Sequence, residues 1–168
     1  DIPNLSSLAK INESKLLKYW EGLGYYSRVK NLKKTAQDVE QNFNGRLPNT
    51  VEKLKSLPGI GDYTANAIMA IAFNKPFIPL DGNIERVIKR LLNLKLVNEV
   101  SKKNIIRKKN ILGTSIRSSD YAQALMELGA LICRPKNPFC NQCPLTKNCK
   151  SFKKNDFEII KKNKKKIN

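Results

Sequence analysis

Leu57-Pro-Gly-Ile-Gly-Asp-Tyr-Thr-Ala65 sets one proline and two glycines inside five residues, between two stretches whose apolar residues recur at helical spacing. Val51 and Leu54 lie on one side, and Ala65, Ile68, Met69 and Ala72 on the other. A helix predicted over 62–73 would thus begin immediately after Gly61. Glycines let a turn bend tightly and bring backbone amides close to a partner, and a helix start offers unpaired N–H donors at the positive end of its dipole. Phosphate is the partner such a device suits. Taken alone, the pentapeptide also reads as an ordinary Pro-Gly turn between two helices.

Outward from this turn the helical period persists. Thr50 restarts a helix after the break at Asn44-Gly45 and Pro48. Upstream, Val29, Leu32, Ala36, Val39 and Phe43 repeat at steps of three and four, with lysines between them. Before that, Asn12 is placed to cap a helix carrying Leu16, Leu17 and Trp20, which ends at Gly22 and Gly24. Downstream, Pro76 and Pro79 mark an irregular passage, and Asp81 precedes a helix carrying Ile84, Val87, Ile88 and Leu91. A basic helix is expected through Lys102, Lys103, Arg107, Lys108 and Lys109, starting near Ser101. Ser118 or Ser119 is expected to cap a last helix through Leu125, Leu128 and Ile132 that runs straight into Cys133. No stretch alternates with a sustained period of two, so the chain reads as all-α. The pattern suggests a helical lobe over 1–100, a helix with a cysteine loop over 101–150, and a loosely held lysine-rich tail over 151–168.

The charge balance narrows the partner. Lys and Arg number 32 against 14 Asp and Glu, a net +18 on 168 residues, which points to a polyanion. The polyanion could be nucleic acid or an acidic membrane surface; no apolar run approaches the roughly 20 residues of a membrane span and no signal peptide opens the chain, so a cytoplasmic location is expected. Histidine is absent altogether, which removes His-based acid–base chemistry, nucleophile–His pairs and mixed Cys/His metal sites.

All four cysteines fall within 17 residues, spaced C-x6-C-x2-C-x5-C from Cys133 through Cys140 and Cys143 to Cys149. Four thiolates at such spacing can close around one metal centre. Disulfides suit a secreted protein, which nothing else in the chain suggests. Spacing alone leaves structural zinc and an iron-sulfur group side by side.

Four motifs in order carry a resemblance: Gly22-Leu-Gly-Tyr-Tyr-Ser-Arg28, Leu57-Pro-Gly-Ile-Gly-Asp-Tyr-Thr-Ala65, Leu80-Asp-Gly-Asn-Ile-Glu-Arg-Val87, and Met126-Glu-Leu-Gly-Ala-Leu-Ile-Cys133 leading into the cysteine loop. Together they resemble the endonuclease III superfamily of DNA glycosylases, and most closely its adenine DNA glycosylase branch. The likeness runs from about Leu5 to Cys149. It implies a helix-hairpin-helix fold with a six-helix lobe and an iron-sulfur lobe, and a 4Fe-4S cluster on Cys133, Cys140, Cys143 and Cys149. The substrate it implies is double-stranded DNA in which adenine is mispaired with 8-oxoguanine or guanine, acted on by a DNA-associated monomer.

The same resemblance assigns roles. Leu57, Gly59 and Gly61 would grip one strand through its backbone, with Arg28, Arg134, Lys136 and Lys147 as further phosphate contacts; such contacts position the duplex and do not read it. Asp81, in the catalytic aspartate motif, would stabilise the cation that develops on the sugar as the base leaves, as in glycoside hydrolysis. Without the motif, Asp81 reads as a plain N-cap. Asn83 would orient the carboxylate or the nucleotide. Tyr63 stands where strand-cutting relatives carry a Schiff-base lysine, which implies a monofunctional enzyme with water as nucleophile. Tyr25 matches the wedge that fills the stack when a base is extruded, and Gln123 lines the adenine pocket. Glu127, one turn beyond, reads as structural.

Two parts of the family pattern are missing from these 168 residues: the glutamate before Leu-Gln-Gln-Thr that protonates the departing purine, and the C-terminal domain that helps read 8-oxoguanine. Asp1-Ile2-Pro3 aligns downstream of the first, so the chain is expected to be an N-terminally incomplete fragment that excises adenine poorly by itself. Rival readings are a non-catalytic helix-hairpin-helix DNA-binding module, a pyrimidine-directed glycosylase-lyase, and a redox carrier.

Overall fold

The computed structural model describes residues 2–94, 105 and 112–157, and its secondary structure among them is helical, with no strand. Two compact units are present, Asp1–Ala65 and Asn66–Asn168.

In the first unit, side-chain caps decide where helices begin. Helix α1 (Leu5–Lys10) starts where Asn4 Oδ1 accepts from the Ser7 amide at 2.9 Å, and α2 (Glu13–Tyr19) where Asn12 Oδ1 accepts from Ser14 at 2.8 Å. Helix α3 (Tyr26–Asn42) lies against α1 and α2, burying Leu8, Leu16, Val29 and Ala36 in one cluster. Leu32, expected on the buried stripe of α3, is instead 45% exposed. Its place beside Val29 and Ala36 in the repeat puts it at the edge of the stripe, which Val29, Ala36 and Val39 fill. Helix α4 (Val51–Lys55) is capped by Thr50, as its sequence implies.

The turn after α4 is built as a rigid bracket. Leu57 is buried, the Ile60 amide donates to the Leu57 carbonyl at 3.2 Å, and Thr35 Oγ1 donates from α3 to the Pro58 carbonyl at 2.7 Å. Gly59 adopts φ of 76°, and a Cβ there would lie 2.8 Å from Asn31 Cβ. The second glycine is different: Gly61 has no positive φ, and a Cβ there meets nothing within 4 Å. We therefore expect Gly59→Ala to destabilise the protein by about 1–3 kcal/mol, the usual cost of a strained left-handed residue. Gly61→Ala should leave the denaturation midpoint nearly unchanged. Urea unfolding of the two variants separates these outcomes.

Helix α5 (Asp62–Ile71) follows the turn, and the division between the units falls within it. It ends two residues short of the expected Phe73, because the chain turns back through Asn74 at φ of 50°. In the second unit, α6 (Gly82–Leu92) is capped by Asp81 and closed by Asn93 in the left-handed region. Helix α7 (Ser118–Glu127) continues as a π-helical turn over Leu128–Ile132 into Cys133. Neither Ser118 nor Ser119 caps α7. The N-cap position is Arg117, and the Ser118 hydroxyl donates to the Ser115 carbonyl at 2.8 Å. Ile78, Ile84, Ile88, Leu94, Ile105 and Leu125 form the core of this unit.

The lysine-rich tail begins as a short helix, α8 (Lys150–Lys153), held to the end of α6 by Ser151 Oγ donating to Asn93 Oδ1 at 3.1 Å. The expected basic helix near Lys102–Lys109, the boundary expected near residue 100 and the end of the tail lie outside the described residues, apart from Ile105. Among the described residues, no helix is long and apolar enough to cross a membrane.

Candidate functional site

Asp81 is half-buried at the N-terminus of α6, with an extended backbone that turns its side chain back over the first helical turn. Oδ1 accepts from the Ile84 amide at 2.7 Å, and Oδ2 accepts from Asn83 Nδ2 at 3.2 Å. Both carboxylate oxygens are thus fixed by donors from its own helix, where the dipole favours negative charge. Asn83 is held in turn, since its Oδ1 accepts from Arg86 Nη2 at 2.8 Å.

Arg86 carries this chain of contacts to the cysteine segment. Its Nε donates to the Cys133 carbonyl at 2.8 Å, and its Nη2 also donates to the Gly129 carbonyl at 2.5 Å. Burial lowers the Arg86 pKa, reinforced by Arg90 and opposed by Cys133 and Asp81. Gly129, in the π-helical turn, packs against Asn83 so closely that an added Cβ would lie 2.6 Å from Asn83 Cβ. Such π turns inside helices recur at functional sites. Here the turn brings its backbone against the residue that orients Asp81.

The four cysteines line one cavity together with Arg90, Ile132, Thr146 and Phe139. Thr146 Oγ1 donates toward the carbonyls of Cys140 and Cys143, which fixes the short Cys-x2-Cys step. Burial raises the Cys140 thiol pKa, and the charges of Cys133, Cys143 and Cys149 raise it further. A cationic centre among the four sulfurs would offset that shift and favour the thiolate forms that metal ligation requires. Among the described residues, no three Cys, Asp or Glu side chains converge on a single ion position. A set of four cysteine sulfurs is chemically suited to hold a structural zinc or an iron–sulfur cluster.

The remaining expected residues fall as follows. Tyr25 is 78% exposed and sits at φ of 47°, uncommon for a bulky residue. Trp20 Nε1 donates to the Gly24 carbonyl at 2.8 Å, and the Arg28 amide donates to the Tyr25 carbonyl at 2.9 Å, so the strained loop is pinned on both sides. The Arg28 guanidinium lies 5.7 Å from the Trp20 ring centre, a cation–π contact. Tyr63, in the first turn of α5, is 45% exposed. Gln123 is exposed on α7, where its Nε2 donates to Ser119 at 3.3 Å. Arg134 is occupied within its own loop: its guanidinium lies 3.9 Å from the Phe139 ring centre and Nη2 donates to the Asn137 carbonyl. Lys136 and Lys147 are the exposed cations of the cysteine loop.

Arg86, Arg90 and Gly129 escape a reading based on motifs. A signal for Arg90 was present, because it falls among Val87, Ile88 and Leu91 on the buried face of α6, where a cation needs a reason. Gly129 gave no such signal, since its contact with Asn83 joins residues far apart in sequence.

Comparison with known proteins agrees with this geometry. Residues 1–110 match the family described as HhH-GPD superfamily base excision DNA repair protein. An adenine DNA glycosylase of Buchnera aphidicola subsp. Baizongia pistaciae is 41% identical over 98% of this chain and 48% of its own length. The human adenine DNA glycosylase is 36% identical over 94% of the chain and 30% of its own length. The chain spans about half the length of the bacterial relatives it matches. Among solved structures, a thermostable thymine-DNA glycosylase superposes with a TM-score of 0.74 at 28% identity, covering 90% of this chain and 70% of that one. A non-covalent endonuclease III–DNA complex gives 0.72 at 26% identity, covering 91% and 71%. On that match, whose residues 1–110 include the bracket at Leu57–Gly61 and the capped Asp81, the chain belongs to the HhH-GPD superfamily of base excision DNA repair proteins.

Proposed function

We propose that this chain forms the core of a monofunctional DNA glycosylase that hydrolyses the N-glycosidic bond of adenine opposite 8-oxoguanine or guanine, with a 4Fe-4S cluster on Cys133, Cys140, Cys143 and Cys149. The observation that carries the reading is the Asp81 carboxylate, fixed through both oxygens at the start of α6. As the C1′–N9 bond breaks, its electron pair leaves with adenine and positive charge builds on the sugar. A carboxylate already held in place stabilises that charge with little reorganisation. Water then adds to C1′. The purine must accept a proton as it leaves, the role that the family gives to a glutamate not among these 168 residues.

Asn83 holds Asp81 Oδ2, and Arg86 holds Asn83, so the cysteine segment supports the carboxylate through two side chains. The cluster, when bound, supplies a fixed inorganic centre around which that segment keeps its shape. In the first unit, the bracket at Leu57–Gly61 offers backbone donors to phosphate, Arg28 adds charge, and exposed Tyr25 is available to enter the stack. Tyr63 supplies no amine, so no Schiff base forms at that position. The adenine-specific relatives share 36–41% identity with the chain, against 26–28% for the thymine and endonuclease III structures, which favours adenine.

The test is base release by the natural-length protein from duplexes carrying adenine opposite 8-oxoguanine, adenine opposite guanine, or thymine opposite guanine. Free adenine, an alkali-labile abasic site and no borohydride-trapped adduct are expected. Released thymine, or an adduct trapped by borohydride, would overturn the assignment.

A further inference from the structure

The guanidinium of Arg90 is an anomaly in its surroundings. The residue is 4% exposed, and among the described residues no carboxylate pairs with it. Its Nη1 donates to the carbonyls of Arg134 at 2.6 Å and Cys133 at 3.3 Å, and its Nη2 to that of Pro135 at 2.9 Å. Nη1 also lies 3.5 Å from Cys133 Sγ. Nε is buried and has no partner. A buried cation met by carbonyl dipoles and one cysteine sulfur, with one donor unsatisfied, is unfavourable. An anion beside it removes the penalty, and the cavity that Arg90 lines is the one lined by all four cysteines. Four thiolates outweigh the charge of a four-iron core, so the assembled centre is anionic. Carbonyl bonds on Nη1 and Nη2 fix the plane of the guanidinium, and Cys149 Sγ lies 3.5 Å from the Arg90 carbonyl oxygen, so the same residue also sits beside the far end of the loop.

We propose that Arg90 is the counter-cation of the cysteine-bound centre, donating N–H···S hydrogen bonds through Nε and Nη1 and thereby setting the centre's reduction potential. This rests on the reading that the four cysteines hold an iron-sulfur cluster. A positive charge and N–H donors at the sulfurs favour the more negative, reduced form; hydrogen bonds to sulfur and net charge are among the factors that set cluster potentials. Arg86 does not share the role, since its donors go to Asn83, Gly82 and the carbonyls of Gly129 and Cys133.

The experiment compares the 168-residue polypeptide, purified without oxygen, with its Arg90→Gln and Arg90→Lys variants by iron and sulfide content, visible absorbance and the midpoint potential of the bound cluster. Arg90→Gln should shift the one-electron equilibrium at least tenfold toward the oxidised form, a fall of about 59 mV or more. Arg90→Lys, which keeps the charge and loses the planar fork, should recover part of that shift. Because removal of a buried arginine can prevent folding, a second measurement uses the unaltered protein: with arginine 15N-labelled at Nε, one Nε–H resonance should be shifted by the paramagnetic cluster and slow to exchange. It should vanish in Arg90→Lys. Full iron content with an unmoved potential, or no shifted Nε–H, overturns the proposal and leaves the cluster reading intact. A colourless protein with zinc or four free thiols sinks the cluster reading, and the proposal with it.

Discussion

Asp81→Asn should lower single-turnover excision of adenine by the natural-length protein about 100- to 1,000-fold, the effect of removing one preorganised electrostatic stabiliser. That loss corresponds to about 3–4 kcal/mol of transition-state stabilisation. Stability should hardly change, because Asn is as good an N-cap as Asp and its Oδ1 can still accept from the Ile84 amide, 2.7 Å away in the native site. Duplex affinity should also persist, since the bracket at Leu57–Gly61 is untouched. The three readouts together separate a catalytic carboxylate from a plain cap: a cap alone would leave turnover, as well as stability and affinity, unchanged. A non-catalytic DNA-binding module would show no change in any of them.

Gly129→Ala is the second large effect, and it removes no charged group. Its Cβ would fall 2.6 Å from Asn83 Cβ and 2.9 Å from the Asn83 carbonyl carbon and oxygen, so α6 and the π-helical turn must move apart. Overpacking of this kind costs about 1–3 kcal/mol. In a chain of this size that lowers the melting temperature by about 3–10 °C. The separation also stretches the bonds of Arg86 to Gly129 and Asn83, which loosens the support of Asp81 Oδ2. Excision should therefore fall by up to about 100-fold, the penalty for a misplacement near 1 Å. Thermal unfolding and single-turnover kinetics on the same preparation check both halves. A fully active, fully stable variant would mean that this contact plays no part in placing Asp81.

What the sequence revealed follows the range of the forces involved. Asn12, Thr50 and Asp81 cap helices as expected, because each acts on an amide two or three residues away. Helix α1 escaped notice because its six residues are too few for a periodic signal. Ser118 and Ser119 misled because the Ser118 hydroxyl is taken by the Ser115 carbonyl, while the Ser119 amide is satisfied by Asn74, 45 residues earlier. The bracket was legible as a turn, yet only the structure separates its two glycines, one strained against Asn31 and one in open space. The cysteine spacing predicted that the four sulfurs gather, and all four residues line one cavity. Of the two arginines that reach the cysteine segment, Arg90 gave a signal through its place on the buried face of α6, whereas Arg86, whose bond to Cys133 spans more than forty residues of sequence, gave none.

The most direct measurement uses binding in place of turnover, and so needs no proton donor. Duplex DNA carrying a cationic azasugar at the target position mimics the charged sugar, while a neutral tetrahydrofuran mimics only the abasic gap. A site built around an anion at Asp81 should bind the cationic duplex at least about 100-fold more tightly than the neutral one, as expected for a transition-state mimic. Asp81→Asn should erase that preference while leaving affinity for the neutral duplex unchanged. Equal preference for the azasugar in both proteins would show that the charge facing the sugar lies elsewhere.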